Sequence, residues 1–447
     1  MLQRKWDGRL TLSTSNPLAV PSHRRSLRDN VGWMVRITED NGMASTTASV
    51  GETTEIQASN AAQKARIYRS IERLSLWLEE HDFRGYDTFD GLNARFVRPL
   101  TFETRFLRTV VQQGVRRFPL NLRPVLGITR EHSSKGMGFL ARGFIRLHQA
   151  TGDQVWADKA ETALNWLIEH QTAGYSGASW GNHFDYQSRT FYLPKGVPTV
   201  VWTSLIGHAF LDAYEHFQKE SYLQVAASAC NHILRDLETF PDGDGACITY
   251  VPGIDSQVHN ANTLGASLLA RTYLYTRNEC YRELAQKGIQ YTAQHQRPDS
   301  SWYYGEKENL HWVDNFHTAY VLDCFKHYTR STGDNRFIQK MLNGYEYWKG
   351  NFFLSDGTPK YYNHKTLPID IQCSSQAIDT LVFFQDYDPA GLSLALKVAQ
   401  WTIDNMQDAS GYFYYRRYSR WLVNKTPTLH WGQATMLSAL AGIYRSL

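Results

Sequence analysis

The chain has 447 residues, 42% hydrophobic and 20% charged, which is ample to bury a large core. Formal net charge is +4, and the first 42 residues contribute three of those charges, with 7 basic against 4 acidic side chains. The remainder is nearly neutral, so composition gives no support to a general nucleic-acid or membrane footprint, and no apolar run reaches the roughly 18 residues of a membrane span.

The N-terminus carries basic residues without an apolar stretch behind them, so no secretory signal is expected. Five cysteines (Cys230, Cys247, Cys280, Cys324, Cys373) are far apart and form no CxxC pair, as expected of buried thiols in a reducing, cytoplasmic setting. Aromatic residues make up 13% of the chain, and such rings suit both core packing and stacking on sugars.

In chain order, residues 1–60 are rich in Ser, Thr, Asn and Arg and lack periodic hydrophobicity, which predicts a disordered or loosely attached tail. Met43 inside it offers an alternative natural start. From residue 61 two kinds of helix alternate. Amphipathic helices are predicted at 61–80, 154–171, 221–237, 279–296, 335–351 and 392–406, and helices apolar almost all round at 136–149, 199–217, 260–275, 315–328, 369–384 and 430–444. A helix apolar on all sides needs neighbours on all sides, whereas one with a wet face can cover it. The apolar helices recur about every 54–63 residues, the mark of an internal repeat. Six such pairs without a polar capping repeat predict a ring closed on itself, an (α/α)6 toroid over 61–447. The segment 82–135, with one helix at about 101–117, falls outside the repeat and is expected to lie across one mouth.

Polar residues unusual for buried helices gather where the inner helices begin. They are Trp180-Gly181-Asn182-His183-Phe184-Asp185, His259-Asn260-Ala261-Asn262, Trp312-Val313-Asp314-Asn315-Phe316-His317, Tyr362-Asn363-His364 followed by Asp370 and Gln372, and His430-Trp431-Gly432-Gln433. In a toroid these ends share one mouth, and six helix N-termini there favour an anionic ligand such as a uronate. Asp314, Asp370 and Asn262 also read as helix caps, and Trp180, Trp312 and Trp431 as packing between the rings. Their recurrence at one point of the repeat argues for a site. No phosphate loop, HExxH or GxSxG motif competes, and no histidine pair has metal-ligand spacing, so neither metal nor cofactor is expected.

Gly85-Tyr86-Asp87 with Asp90-Gly91-Leu92, Leu122-Arg123-Pro124, Lys135-Gly136, Trp180 to Gln187, Pro194-Lys195-Gly196, Trp302-Tyr303-Tyr304-Gly305-Glu306, Asp314 to His317 and Trp431-Gly432-Gln433 carry a resemblance to the VpsJ-like polysaccharide biosynthesis proteins. That resemblance covers residues 77–447 and implies an exopolysaccharide context, with association with assembly proteins, rather than a particular reaction. At fold level the chain resembles toroidal sugar epimerases, unsaturated glucuronyl hydrolases and uronate lyases. The expected activity is on an acidic oligo- or polysaccharide, of lyase or epimerase type. The alternatives are a hydrolase using an Asp314–Asp370 pair, with Asp185 and Glu306 in reserve, and a non-catalytic glycan-binding protein. Catalytic candidates are His317, Asp314, His259, Asp370 and His430. Sugar-contacting candidates are Trp180, His183, Asp185, Asn262, Trp302, Tyr304, Trp312, Tyr362, His364, Gln372, Trp431 and Gln433. His317 with Asp314 is the sharpest pair, because residues three apart share a helix face and an aspartate can orient and hold a protonated imidazole.

Overall fold

The computed structural model describes residues 50–189 and 191–447, and Glu55–Leu447 form one compact unit. Met43 and most of the predicted tail lie outside the described residues. Helix α1 (Val50–Glu80) begins well before the predicted residue 61.

Six helices form an inner ring: α3 (Ser134–Thr151), α5 (Val200–Phe217), α7 (His259–Thr276), α9 (Asn315–Thr332), α11 (Ile371–Phe383) and α13 (Ala434–Ser446). Each packs on the next, and α13 returns to α3, so the ring is closed. Gly143 permits that last contact, since a Cβ there would lie 3.2 Å from Ser438 Cα. The outer ring consists of α1 with α4 (Gln154–Glu169), α6 (Glu220–Asp236), α8 (Glu279–Gln294), α10 (Ile338–Asn351) and α12 (Gly391–Met406). Helix α1 covers the last inner helix, with Tyr68 against Tyr444.

Burial separates the two rings as their sequences require. Thirteen of the 18 residues of α5 are buried, against six of 16 in α4, where they recur at three- and four-residue intervals. Closure keeps both flanks of every inner helix dry, and each buried Leu, Ile or Phe so protected contributes about 1.5–3 kcal/mol. Side-chain caps start the helices: Thr199 accepts from Trp202 N, Asp314 from His317 N and Asp370 from Gln372 N.

Short antiparallel pieces connect the pairs. Strand β1 (Tyr186–Gln187) pairs with β2 (Tyr192–Leu193), β3 (Thr239–Asp242) with β4 (Gly245–Ile248), and β6 (Arg416–Arg417) lies between β5 (Ile369–Asp370) and β7 (Val423–Asn424). The β5–β6 register sets Asp370 opposite Arg416. In the 82–135 segment the helix is α2 (Arg105–Arg117), starting later than predicted because Arg98–Thr101 form a separate 3-10 turn. Four cysteines are buried thiols, but Cys280 is exposed in the first turn of α8, on the wet side of an outer helix. Among the described residues no helix is long and apolar enough to cross a membrane.

Candidate functional site

The N-terminal turns of all six inner helices, with α2 and the β1–β2 hairpin, enclose a cavity of about 800 Å3, within the usual range of ligand pockets. The second residue of five inner helices faces it: Lys135, Val201, Asn260, Phe316 and Gln372. In α5 and α9 the third residue, Trp202 and His317, joins in. The sixth helix departs from this pattern. A π-helical turn over Leu429–Gln433 precedes α13 and presents His430 and Trp431 to the cavity, a distortion common at functional sites.

His317 is held as its spacing predicts. Asp314 Oδ2 accepts from His317 Nδ1 at 2.7 Å and from Trp312 Nε1 at 2.8 Å, while Oδ1 caps the helix through His317 N at 3.0 Å. Cap and histidine partner are therefore one carboxylate using both oxygens. The Asp314 side chain is fully buried and His317 is partly open, so Nε2 is the ring nitrogen left for a ligand. Tyr304 and Trp312 stack at 4.5 Å beside the imidazole.

A second imidazole–carboxylate pair involves a residue outside the expected set. His430 Nδ1 contacts Asp87 Oδ2, both side chains being almost wholly buried. Burial alone would raise the Asp87 carboxyl, but His430 and His183 outweigh it and hold it below the usual range. Burial lowers His430, against the pull of Asp87, so the pair rests as carboxylate and neutral imidazole near pH 7. The Trp202 ring lies 5.1 Å from His430, and Phe316 bridges toward His317 by touching the rings of both Trp431 and His317.

Charge in the cavity is one-sided. Among the described lining residues are Arg105, Arg116, Arg117, Lys135, Arg189 and Arg416, and no Asp or Glu. Only Arg416 is neutralised, by Asp370 with Nε–Oδ2 at 2.8 Å; none of the other five forms an ion pair with a described carboxylate. Arg189 lies over Trp312, and Arg116 over Phe89 with its Nε donating to Tyr415 Oη. Lys135 is 5% exposed, and burial pushes its ammonium down to about 8, opposed by Asp87. Two nearly buried acceptors in the lining, Asn260 Oδ1 and Gln372 Oε1, find no donor among the described residues. The Tyr304 and Tyr361 phenols are pushed well above their usual range by burial and stay protonated.

Of the expected residues, His317, His430, Tyr304, Trp312, Tyr362, Gln372 and Trp431 line the cavity. Asp314 and Asp370 stand directly behind it, Asp370 accepting from Trp431 Nε1 at 3.0 Å. Others lie elsewhere. His259, the first residue of α7, turns between the rings to Glu306 and Thr292. Trp180 and Trp302 are inter-ring packing whose indoles donate to Leu167 O and Thr292 O. Asn262 and Gln433 are buried in backbone-tying roles, bonding Ile248 N and Gly288 O, and Phe413 N and O, respectively. Asp185 accepts from Lys195 N and pairs with Arg98. His183 sits behind the lining near Asp87 and is pushed down to about 4 by burial, while His364 is exposed. The cavity's cations were missed, three of the six (Arg105, Arg116 and Arg117) because α2 lies outside the repeat. The available signal was the stretch 95–130, with eight arginines and one glutamate.

At the opposite end of the ring a smaller cavity of about 400 Å3 is crossed by ion pairs, Arg142 and Arg271 with Asp212, and Arg146 with Asp379. Tyr320 lines both cavities. Among the described residues no group of three or more His, Cys, Asp or Glu is arranged to hold a metal ion.

No family model and no curated protein matches the chain, so the VpsJ-like resemblance rests on its motifs alone. Solved structures do match. A cellobiose 2-epimerase from Bacillus thermoamylovorans is similar with TM-score 0.54 and 12% identity, over 70% of this chain and 90% of that one. A GH76 α-mannanase from Bacteroides thetaiotaomicron is similar with TM-score 0.56 and 13% identity, over 72% and 88%. A polysaccharide lyase is similar with TM-score 0.55 and 10% identity, over 86% and 98%. The fold of this chain is the (α/α)6 toroid.

Proposed function

We propose that the cavity takes an anionic sugar, a uronate or similar acidic unit of an oligo- or polysaccharide, and moves a proton on it, by β-elimination or epimerisation beside the carboxylate. One observation carries this reading: a cavity lined by five cations without carboxylate partners, two carboxylate-backed histidines and no described Asp or Glu. Proton abstraction beside a carboxylate needs a base, and it needs positive charge where the carbanion's charge develops. His317 Nε2 supplies the base, with Asp314 fixing the tautomer and stabilising the imidazolium. Lys135, Arg116 and Arg189 supply the charge, and Asn260 and Gln372 accept from sugar hydroxyls. His430, backed by Asp87, is a second proton-transfer group on the same wall.

Hydrolysis would need two carboxylates flanking the bond. Asp314 and Asp370 are fully buried and already hold His317 and Arg416, which argues against that role. Sugar-processing neighbours of the same fold agree with a carbohydrate substrate, and the VpsJ-like resemblance is the support for setting the reaction in exopolysaccharide assembly. The test is incubation of the protein with uronate-containing polymers, following ultraviolet absorbance of unsaturated uronate, solvent deuterium uptake and chain length. Elimination gives the first, epimerisation the second. Chain shortening without either would overturn the reading in favour of hydrolysis, and binding with no change in favour of a glycan-binding protein.

A further inference from the structure

The nearly neutral chain hides a strongly basic, apolar surface around the cavity entrance. Of the eight arginines in residues 95–130, Arg123 is buried against Asp90 and Arg98 and Arg108 are ion-paired, which leaves Arg95, Arg105, Arg116, Arg117 and Arg130 without a described carboxylate partner. In that stretch Phe96, Leu100, Phe102, Leu120 and Val125 are 63–81% exposed. Trp421, in the β6–β7 turn, is 85% exposed. The two segments meet: Asn424 Nδ2 donates to Phe118 O at 2.8 Å, tying the hairpin to the end of α2. Arg95, Arg117 and Arg130 of the first segment and Arg420 and Lys425 of the hairpin are exposed as well, Arg420 lying over the Trp421 ring. Arg105 and Phe106 of α2 belong both to this exposed surface and to the cavity lining.

Open apolar side chains gathered on neighbouring segments, rather than scattered singly, mark an interaction site. Their chemistry narrows the partner. Sugars stack on flat aromatic faces, which Leu100, Leu120 and Val125 do not offer. A second copy of the chain meeting this surface face to face would set arginines against arginines, at a Coulombic cost. A lipid surface with anionic headgroups satisfies both features, taking the apolar side chains into the acyl boundary and the arginines onto phosphates.

We infer that the 95–130 segment and the Trp421 hairpin dock the cavity entrance onto an anionic membrane surface. This does not depend on which reaction the cavity performs. The experiment is co-sedimentation of the full chain with vesicles of phosphatidylcholine alone or mixed with phosphatidylglycerol. Anionic vesicles should bind at least about tenfold more tightly, and the difference should shrink in high salt. Phe96→Ser, Phe102→Asn and Trp421→Ser combined should lower binding by about tenfold or more while melting as the parent does, since these side chains are already exposed. Arg95→Glu with Arg420→Glu should abolish the preference for anionic lipid. Equal or absent binding to both vesicle types by the parent chain would overturn the proposal. So would self-association, or acidic-polymer binding without vesicle binding, that the aromatic variants remove.

Discussion

Replacing His317 with Gln separates a proton-transfer residue from a structural one. The side chain is about one-fifth exposed, makes one hydrogen bond to Asp314 and touches the Tyr304 and Phe316 rings. Losing a hydrogen bond of this kind costs about 0.5–1.5 kcal/mol, and the ring contacts add a similar amount. Gln recovers part of both, so the net loss should be about 1–2 kcal/mol, a shift of a few degrees in melting temperature. Removing a general base costs about 100- to 10,000-fold in rate, equivalent to about 3–5 kcal/mol of barrier. The kinetic effect should therefore exceed the stability effect, read as turnover of acidic polymer per folded molecule beside thermal unfolding. Asp314→Asn sharpens the comparison. Asn caps helices as well as Asp, so α9 should persist. An amide, however, cannot accept from Trp312 Nε1 and His317 Nδ1 at the Oδ2 position if nitrogen stands there. Turnover should fall with a modest loss of stability. The assignment fails if His317→Gln unfolds markedly more easily while activity per folded molecule survives.

Lys135→Met should raise KM for an acidic substrate about tenfold or more without destabilising the fold, because the ammonium has no carboxylate partner to leave behind. In the parent, affinity for acidic substrate should decline as pH rises through about 8, where Lys135 loses its charge, measured as KM against pH. Burial holds His183 at about 4, below its unfolded value, so the unfolded chain binds the extra proton between those limits. Stability should thus fall as pH drops from about 6.5 toward 4; His183→Gln should flatten that decline in denaturant titrations, and an unchanged slope would refute it. Trp302→Ala should cost about 3–5 kcal/mol, since its ring fills the space against Gly344 between the rings, while activity per folded molecule is retained. Activity lost at unchanged stability would instead place Trp302 at the substrate.

The closed double ring is legible from sequence because burial imposes a period on it. Apolar-all-round helices alternating with one-faced ones every 54–63 residues leave few ways to bury both flanks of six helices, and the polar motifs at their starts lie at the end that holds the larger of the two cavities described. What the repeat cannot convey is rotational phase. His259 and His317 open neighbouring inner helices, yet one is the first residue of α7 and the other the third of α9, about 200° apart around a helix of 3.6 residues per turn. That difference sends His259 outward to Glu306 and His317 inward beside Tyr304. Trp180 and Trp302 share the motif composition of Trp312 and Trp431, but only tertiary packing decides whether an indole fills the gap between the rings or walls the cavity. The unpaired arginines of α2 and the Asp87 partner of His430 come from the one segment outside the repeat. Local periodicity determines which helices must be buried, whereas long-range closure alone decides which side chains meet across the mouth.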